Sequence, residues 1–306
     1  MAKKTKKNKT QKYIDNLKEI KDKLVIVTGA NSGLGFEISK TVLLKGGNVV
    51  MACRNKERAE AAKEKLIKET GIDKIYVEIY DQSDIQSVYH FADTIISKYP
   101  SFYALVLNAG VLKPKENIDE FNISNTYRTN FIGLLALVDR LKPFLDETKE
   151  EKRIIIQGSL SSYFHKYKSG DEFIYGKGKQ MRQYALSKLC CSNLYAYLKN
   201  NNENPYVKYL LAEPGVAVTN IYQNFKKWFK NLSLFFLRIF TNDALTGSLA
   251  TTKLICDTCT NGDYYRPAHF FHSRGLPIKS AFKKEFINYK IIEEGREIVK
   301  MYERSN

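Results

Sequence analysis

From Leu24 onward, short runs rich in Val, Ile and Leu alternate with longer stretches of helical period, and this alternation leaves few architectures open. The apolar runs are Leu24–Thr28, Asn48–Ala52, Ile75–Tyr80, Tyr103–Asn108, Arg153–Gly158 and Val207–Ala212. Helical patterns lie between them, near 34–45, 55–70, 84–98, 119–145 and 184–200. Strands that are apolar on both faces and separated by helices need a parallel sheet covered on both sides. Right-handed crossovers then give an α/β fold, a doubly wound parallel sheet of Rossmann type, with ligands at the carboxyl ends of its strands. No repeat and no Pro- or Gly-rich linker divides the chain, so a single domain is expected. Helices near 243–258 and 283–304 finish it, while residues 160–183 and 220–245 read as neither strand nor crossover helix.

Composition narrows the class further. With 306 residues, 43% hydrophobic and 27% charged, the chain is neither wholly disordered nor collagen-like. It has no run of 18 apolar residues, so a spanning helix is not expected. The start, MAKKTKKNKTQKY, lacks the apolar core of a secretory signal, and five cysteines (Cys53, Cys190, Cys191, Cys256, Cys259) then read as reduced thiols. A cytoplasmic protein is expected. The net charge is +16, of which residues 1–23 hold +6 in nine lysines against Asp15, Glu19 and Asp22. Residues 1–21 read as a lysine-rich flexible tail, able to touch anionic lipid at a membrane periphery or simply solvated.

The chemistry begins where the first strand ends. Thr28-Gly29-Ala30-Asn31-Ser32-Gly33-Leu34-Gly35 leads straight into a helical pattern. Glycines there allow a tight turn and a close backbone approach to a pyrophosphate, which the helix N-terminus attracts. A dinucleotide is the expected ligand. NAD-binding folds place an acid about 20 residues after the glycines, on the ribose hydroxyls. Here the second strand ends in Ala52-Cys53-Arg54-Asn55, with no acid and with Arg54 placed to pair with a 2′-phosphate, so NADP(H) is expected. Farther on, Tyr184 and Lys188 stand four apart in a helical segment, on one face. An ammonium near a phenol favours phenolate, so a tyrosine pKa lowered towards neutrality and a general acid for a carbonyl oxygen are expected.

With these motifs in order, the chain resembles the short-chain dehydrogenase/reductase superfamily over about residues 22–302. Thr28, Gly29, Gly33 and Gly35 match its opening motif, and Asp81, followed by Gln82, its adenine-contacting acid. Asn108-Ala109-Gly110 is similar to its motif after strand four, and Pro214-Gly215-Val216 with Thr219 to its nicotinamide loop. The resemblance implies cofactor contacts from these residues and from Asn31, Ser32, Leu34, Arg54, Tyr184 and Lys188. It implies a catalytic set of Asn130, Ser159, Tyr184 and Lys188. Ser159 would bind the carbonyl oxygen, Tyr184 would exchange its proton, Lys188 would tune the tyrosine and hold the ribose, and Asn130 would keep a relay water. Ala52-Cys53-Arg54-Asn55 and the interval from Ser159 to Tyr184 resemble the retinol dehydrogenase-like and protochlorophyllide-reductase-like branch, implying a small lipophilic carbonyl or alcohol. Three departures stand out: Gly158 replaces a first serine, Gln82 a leucine, and Glu213 a His or Asn before Pro-Gly.

Residues 228–240 are strongly apolar and read equally as a lid (within about 220–245), core packing or an interfacial segment beside Lys226, Lys227 and Lys230. Phe164, Tyr167 and Phe173 are candidates for the mouth of the site. Cys256 and Cys259 form one pair where structural zinc needs four ligands, and His269 and His272 have no carboxylate pattern beside them, so no metal is expected. Bulk charge without a reading module gives no reason to expect nucleic acid. A homodimer is left open. The competing reading is a catalytically idle binding protein of the same fold, tethered through its basic tail; it would have no use for Ser159, Tyr184 and Lys188 together.

Overall fold

The computed structural model describes residues 2–216, 242–269 and 272–305. Six strands fall on the apolar runs: β1 (Leu24–Thr28), β2 (Asn48–Cys53), β3 (Ile75–Ile79), β4 (Ala104–Leu107), β5 (Lys152–Gln157) and β6 (Val207–Ala212). They pair in parallel, with β1 between β2 and β4. Two more strands extend the sheet beyond β6: β7 (Tyr264–His269), parallel to it, and β8 (Arg274–Ser280), antiparallel to β7. The order β3-β2-β1-β4-β5-β6-β7-β8 reverses its sense between β1 and β4. A crevice forms at such a switch point because the flanking crossovers leave on opposite faces.

Burial explains the choice of residues. Ile26 on β1 sits with Val50, Leu105 and Ile154 on one face, under Phe91, Leu137 and Leu194. Val25 and Val27 point the other way, towards Leu43, Leu66 and Leu254. Each such side chain, withdrawn from water, contributes about 1.5–3 kcal/mol. The covering helices are α1 (Ala2–Asp15), α2 (Gly33–Leu44), α3 (Lys56–Thr70), α4 (Ile85–Lys98), α5 (Gly133–Glu147), α6 (Gln180–Asn200), α7 (Ala244–Cys256) and α8 (Lys290–Arg304). Their starts follow cap chemistry: Asn55 accepts from Arg58 N and Asp84 from Gln86 N.

Three expectations need revision. The helix expected over 119–145 begins later, in a short turn at Asn125–Tyr127 and a π-helical turn at Arg128–Ile132, before α5. The strands β7 and β8 were not anticipated. Pro277 lies on the edge strand β8 and Pro267 faces it at an irregularity in the β7 register, two places where a missing ladder donor is tolerated. The flexible tail expected over residues 1–21 is instead helical in α1 and docked on the domain. Ile14, Leu17 and Ile20, three residues apart, are each no more than 5% exposed. Thr10 Oγ1 lies 3.1 Å from Thr246 Oγ1 on α7, and Lys45 Nζ donates to the carbonyls of Asp15 (3.0 Å) and Leu17 (2.8 Å). The lysines mask an apolar edge because Lys12 and Lys18 stay exposed while that edge turns inward.

All five cysteines are unpaired and buried. Among the described residues, no helix is long and apolar enough to cross a membrane, and no cluster of His, Cys, Asp or Glu could hold a metal. Residues 217–241, with Thr219, most of the expected lid and the apolar run 228–240, lie outside the described residues.

Candidate active site

The carboxyl ends of β1 to β4 open into a cleft of about 310 Å³. Its floor is the glycine loop. Gly29 has φ +66°, and a Cβ there would stand 3.1 Å from Ala109 Cα. A Cβ at Gly35 would come within 2.4 Å of Gly29 O. Only glycine lets α2 begin this close to β1. Ser32 is the N-cap of α2 but makes no side-chain cap bond, and no acid occupies the first turn. The helix N-terminus, with its uncapped amides, therefore faces the cleft as an anion site. Asn31, Ser32, Gly33 and Leu34 line it together with Gly29.

Side chains below the cleft lock the loops together. Thr28 Oγ1 donates to Val106 O (3.2 Å) and accepts from Asn108 N and Ala109 N (both 2.9 Å). Asn108 Nδ2 donates to Thr28 O (2.8 Å). Asn108, Ala109 and Gly110 line the opposite wall. Gln82, where the family pattern has leucine, donates to Thr129 O (2.6 Å) and Ala109 O (3.3 Å) and accepts from Tyr80 Oη (3.1 Å). It straps the β3, β4 and π-turn loops to one another.

The far end of the cleft carries charge. Arg54 lies there with a side chain 70% exposed, 3.8 Å from Asp81. Asp81 is held by Ser83 N (2.9 Å) and Ser83 Oγ (2.6 Å). Arg58, which the sequence reading did not single out, lines the same end from the first turn of α3, seated by the Asn55 cap. Its signal was available: four residues after Arg54, it follows an asparagine N-cap.

The candidate catalytic residues gather at the β4–β5 side of the cleft. Ser159 caps the 3₁₀ turn Leu160–Phe164; its Oγ accepts from Ser161 N (3.2 Å) and Ser161 Oγ (2.9 Å). Tyr184 and Lys188 come from α6, and the Ser159 hydroxyl is a hydrogen-bonding neighbour of the Tyr184 phenol. Lys188, 5% exposed, donates from Nζ to Gln157 O (3.0 Å). A Cβ at Gly110 would stand 3.1 Å from Asn130 Oδ1 and 3.8 Å from Lys188 Nζ, so both approach the same glycine. Asn130 occupies the π-helical turn, and such turns recur at functional sites. Its Oδ1 accepts from Val111 N (2.7 Å), and its Nδ2 donates to Val111 O (2.8 Å) and Ser187 Oγ (3.0 Å). Pro214, Gly215 and Val216 leave β6 nearby: Val216 N donates to Ser273 O (2.9 Å), and Asn242 Nδ2 to Pro214 O (3.0 Å).

One electrostatic expectation is reversed. Burial pushes the Tyr184 phenol up to about 12, and the opposing pull of Ser159 is smaller. Lys188 is turned to a backbone carbonyl, so the protein by itself keeps this phenol protonated. Of the expected mouth residues, Phe164 is 77% exposed, whereas Phe173 is buried and Tyr167 partly so, tied by its hydroxyl to Glu294.

A parallel sheet with a glycine-floored crevice at its switch point, and a serine, a tyrosine and a lysine gathered beside it, defines a doubly wound domain of Rossmann fold. The chain belongs to the short chain dehydrogenase family, whose sequence model matches residues 23–230. It is 29% identical over 261 residues to a WW domain-containing oxidoreductase of Gallus gallus, covering 82% of this chain and 62% of that protein. It is 30% identical over 211 residues to dehydrogenase/reductase SDR family member 13 of Bos taurus, covering 67% of this chain and 54% of the relative. The chain thus spans little more than half the length of either. In fold it is similar to an uncharacterised protein from Mycobacterium paratuberculosis, with TM-score 0.70, 20% identity and coverage of 94% and 96%. It is also similar to the NADP active-site complex of Pseudomonas aeruginosa RhlG, with TM-score 0.62, 17% identity and coverage of 78% and 91%.

Proposed function

We propose that this protein is an NADP(H)-dependent reductase of lipophilic carbonyl compounds. The observation that carries the reading is the gathering of Ser159, Tyr184 and Lys188 beside a glycine-floored cleft whose far end bears Arg54 and Arg58. The residues present fit a dinucleotide: the cradle would be filled by a Cβ at Gly35, and the α2 N-terminus carries no competing acid. Gly29, Asn31, Ser32, Gly33 and Leu34 would hold its phosphates, while Asp81, Asn108, Ala109 and Gly110 would face the adenosine and ribose. Pro214, Gly215, Val216 and Thr219 would meet the nicotinamide end. The pair Arg54 and Arg58 supports NADP(H) over NAD(H), since charge-assisted bonds to a 2′-phosphate suit guanidinium groups.

When bound, the cofactor supplies the hydride. The protein's work is orientation and proton transfer. Ser159 accepts two bonds from Ser161 and neighbours the Tyr184 phenol, so its own hydrogen would turn from that phenol to a carbonyl oxygen. Tyr184, a protonated phenol with its pKa pushed up to about 12, carries the proton that a reduced carbonyl needs. Lys188 would hold the ribose and return the tyrosine's proton from solvent. Asn130 anchors α6 one residue before Lys188, through Ser187.

The test is a screen of retinal, a ketosteroid and a long-chain aldehyde with NADPH, followed by loss of the reduced-nicotinamide absorbance. Turnover of at least one, with NADPH preferred over NADH, is the expected outcome. No turnover of any, with tight NADPH binding, would favour the idle binding protein.

A further inference from the structure

Two departures from the family pattern, Gly158 and Glu213, touch each other. They leave the carboxyl ends of the neighbouring strands β5 and β6, where Gly158 N donates to Ala212 O (2.8 Å). A Cβ at position 158 would stand 3.1 Å from Glu213 Cγ and 3.2 Å from Leu211 Cδ1. A residue larger than glycine would therefore press on the Glu213 stem, and that stem occupies space which glycine leaves. The next residue along the chain is Ser159.

Glu213 is an unusual occupant. It is 0% exposed, and its carboxylate neighbours the Tyr264 hydroxyl but makes no hydrogen bond of full geometry among the described residues. The groups around it are Tyr163, from the 3₁₀ turn that Ser159 caps, and Tyr264 and Arg266 from β7. Tyr163 Oη and Tyr264 Oη lie 3.2 Å apart, and Arg266 Nε is itself buried with no hydrogen-bond partner among the described residues. Neither β5 nor β6 contributes another titratable group to this cluster. A carboxyl so placed resists ionisation: burial pushes Glu213 up to about 7, against smaller opposing pulls from Tyr264 and Arg266.

We propose that Glu213 is a positioning residue for Ser159, acting with Gly158 as one packed unit beneath the catalytic turn, and that ionisation of its carboxyl loosens that turn. This rests on the catalytic reading above, but its packing part does not depend on which substrate is used. Protonated, the side chain fills the space below the turn at no cost in uncompensated charge. Ionised, it becomes a buried anion whose stabilisation requires the turn or β7 to move. The folded-state pKa is raised above that of an unfolded glutamate. Its stabilising contribution is therefore complete below the unfolded value and is lost as pH rises through about 7.

The experiment combines a packing cycle with a charge-neutral variant, all in the full chain. Gly158→Ala and Glu213→Ala should each lower turnover of the best carbonyl in the screen by about tenfold, with KM little changed. The double variant should fall no further than either single one, because adding a Cβ and removing Cγ compensate. Independent effects, multiplying to about a hundredfold, would overturn the unit. Glu213→Gln keeps the shape and cannot ionise. Wild type should lose melting temperature between about pH 5.5 and about pH 8.5 relative to Glu213→Gln, by about 2–4 °C. The alkaline fall of wild-type kcat near neutrality should be absent in that variant. Coincident pH profiles for the two would overturn the charge part. Should Glu213→Gln not fold, Gly158→Ala supplies the second comparison, because pressure on the Glu213 stem must alter the same pH profile. If wild type reduces none of the carbonyls, the functional reading fails, while melting temperatures of wild type, the two alanine variants and their double variant still decide whether the two residues are coupled.

Discussion

The two ends of the active cleft are built by opposite means. The nucleotide end is made of backbone: a glycine turn, the uncapped α2 N-terminus, and two exposed arginines at the rim. The proposed catalytic end is made of buried side chains, with Lys188 at 5% exposure and Asn130 at 1%. Holding a phosphate needs donors that reach it, and water at the rim does little harm. Moving a proton needs groups whose energies differ from those in water, and burial supplies that difference. The contrast also explains which substitutions each end tolerates. At Gly29 and Gly35 added volume is harmful; at Tyr184 the loss of one polar atom is.

The sharpest way to test that division is Tyr184→Phe. Turnover should fall by about 10²- to 10⁴-fold, the range for a lost general acid, while NADPH affinity measured by fluorescence stays within a few-fold. A parallel fall in affinity would mean the two ends are not separable. Next in size is the double variant Arg54→Ala/Arg58→Ala. NADPH binding should weaken by about 10- to 150-fold with NADH little changed and kcat preserved. The 3.8 Å ion pair with Asp81 holds Arg54 only weakly, being exposed, and leaves it available for a phosphate. Leu17→Ala touches neither end. It should cost about 2 kcal/mol, read as a lower melting temperature with kinetic constants unchanged. The smallest effect belongs to Asn55→Ala, which removes the α3 cap and unseats Arg58. About 1 kcal/mol of stability should go, with a several-fold loss of NADPH affinity if Arg58 contacts the phosphate.

The cleft was legible in the sequence because its determinants are local. Thr28 to Gly35 is one contiguous strand, turn and helix start, and the six parallel strands announce themselves as apolar runs. What escaped reading depended on contacts distant along the chain. Arg58 is the exception, since the Asn55 cap that seats it is local and its signal was readable. The docking of the N-terminal segment hides behind lysines, since Leu17 and Ile20 mean little until they are known to join the apolar cluster that holds Leu254 and Ile255. The direction of the Tyr184 shift was misjudged for a related reason. Spacing reveals that Lys188 shares its face, but not that Gln157 O claims the ammonium or that the phenol is enclosed. Strand β7 was obscured by Pro267, which sits at a register irregularity that no local pattern reveals.

The five enclosed thiols turn the molecule into its own clock. None can meet an alkylating reagent while the chain is folded, and Cys53, at the floor of the nucleotide cleft, has its thiol pushed up to about 11 by burial. Modification must therefore wait for an opening event, and its rate counts those events. Cys53 would report breathing of the β2 end, Cys190 and Cys191 that of α6, and Cys256 and Cys259 that of α7 and the loop after it. Filling the cleft should silence the first of these without changing the others.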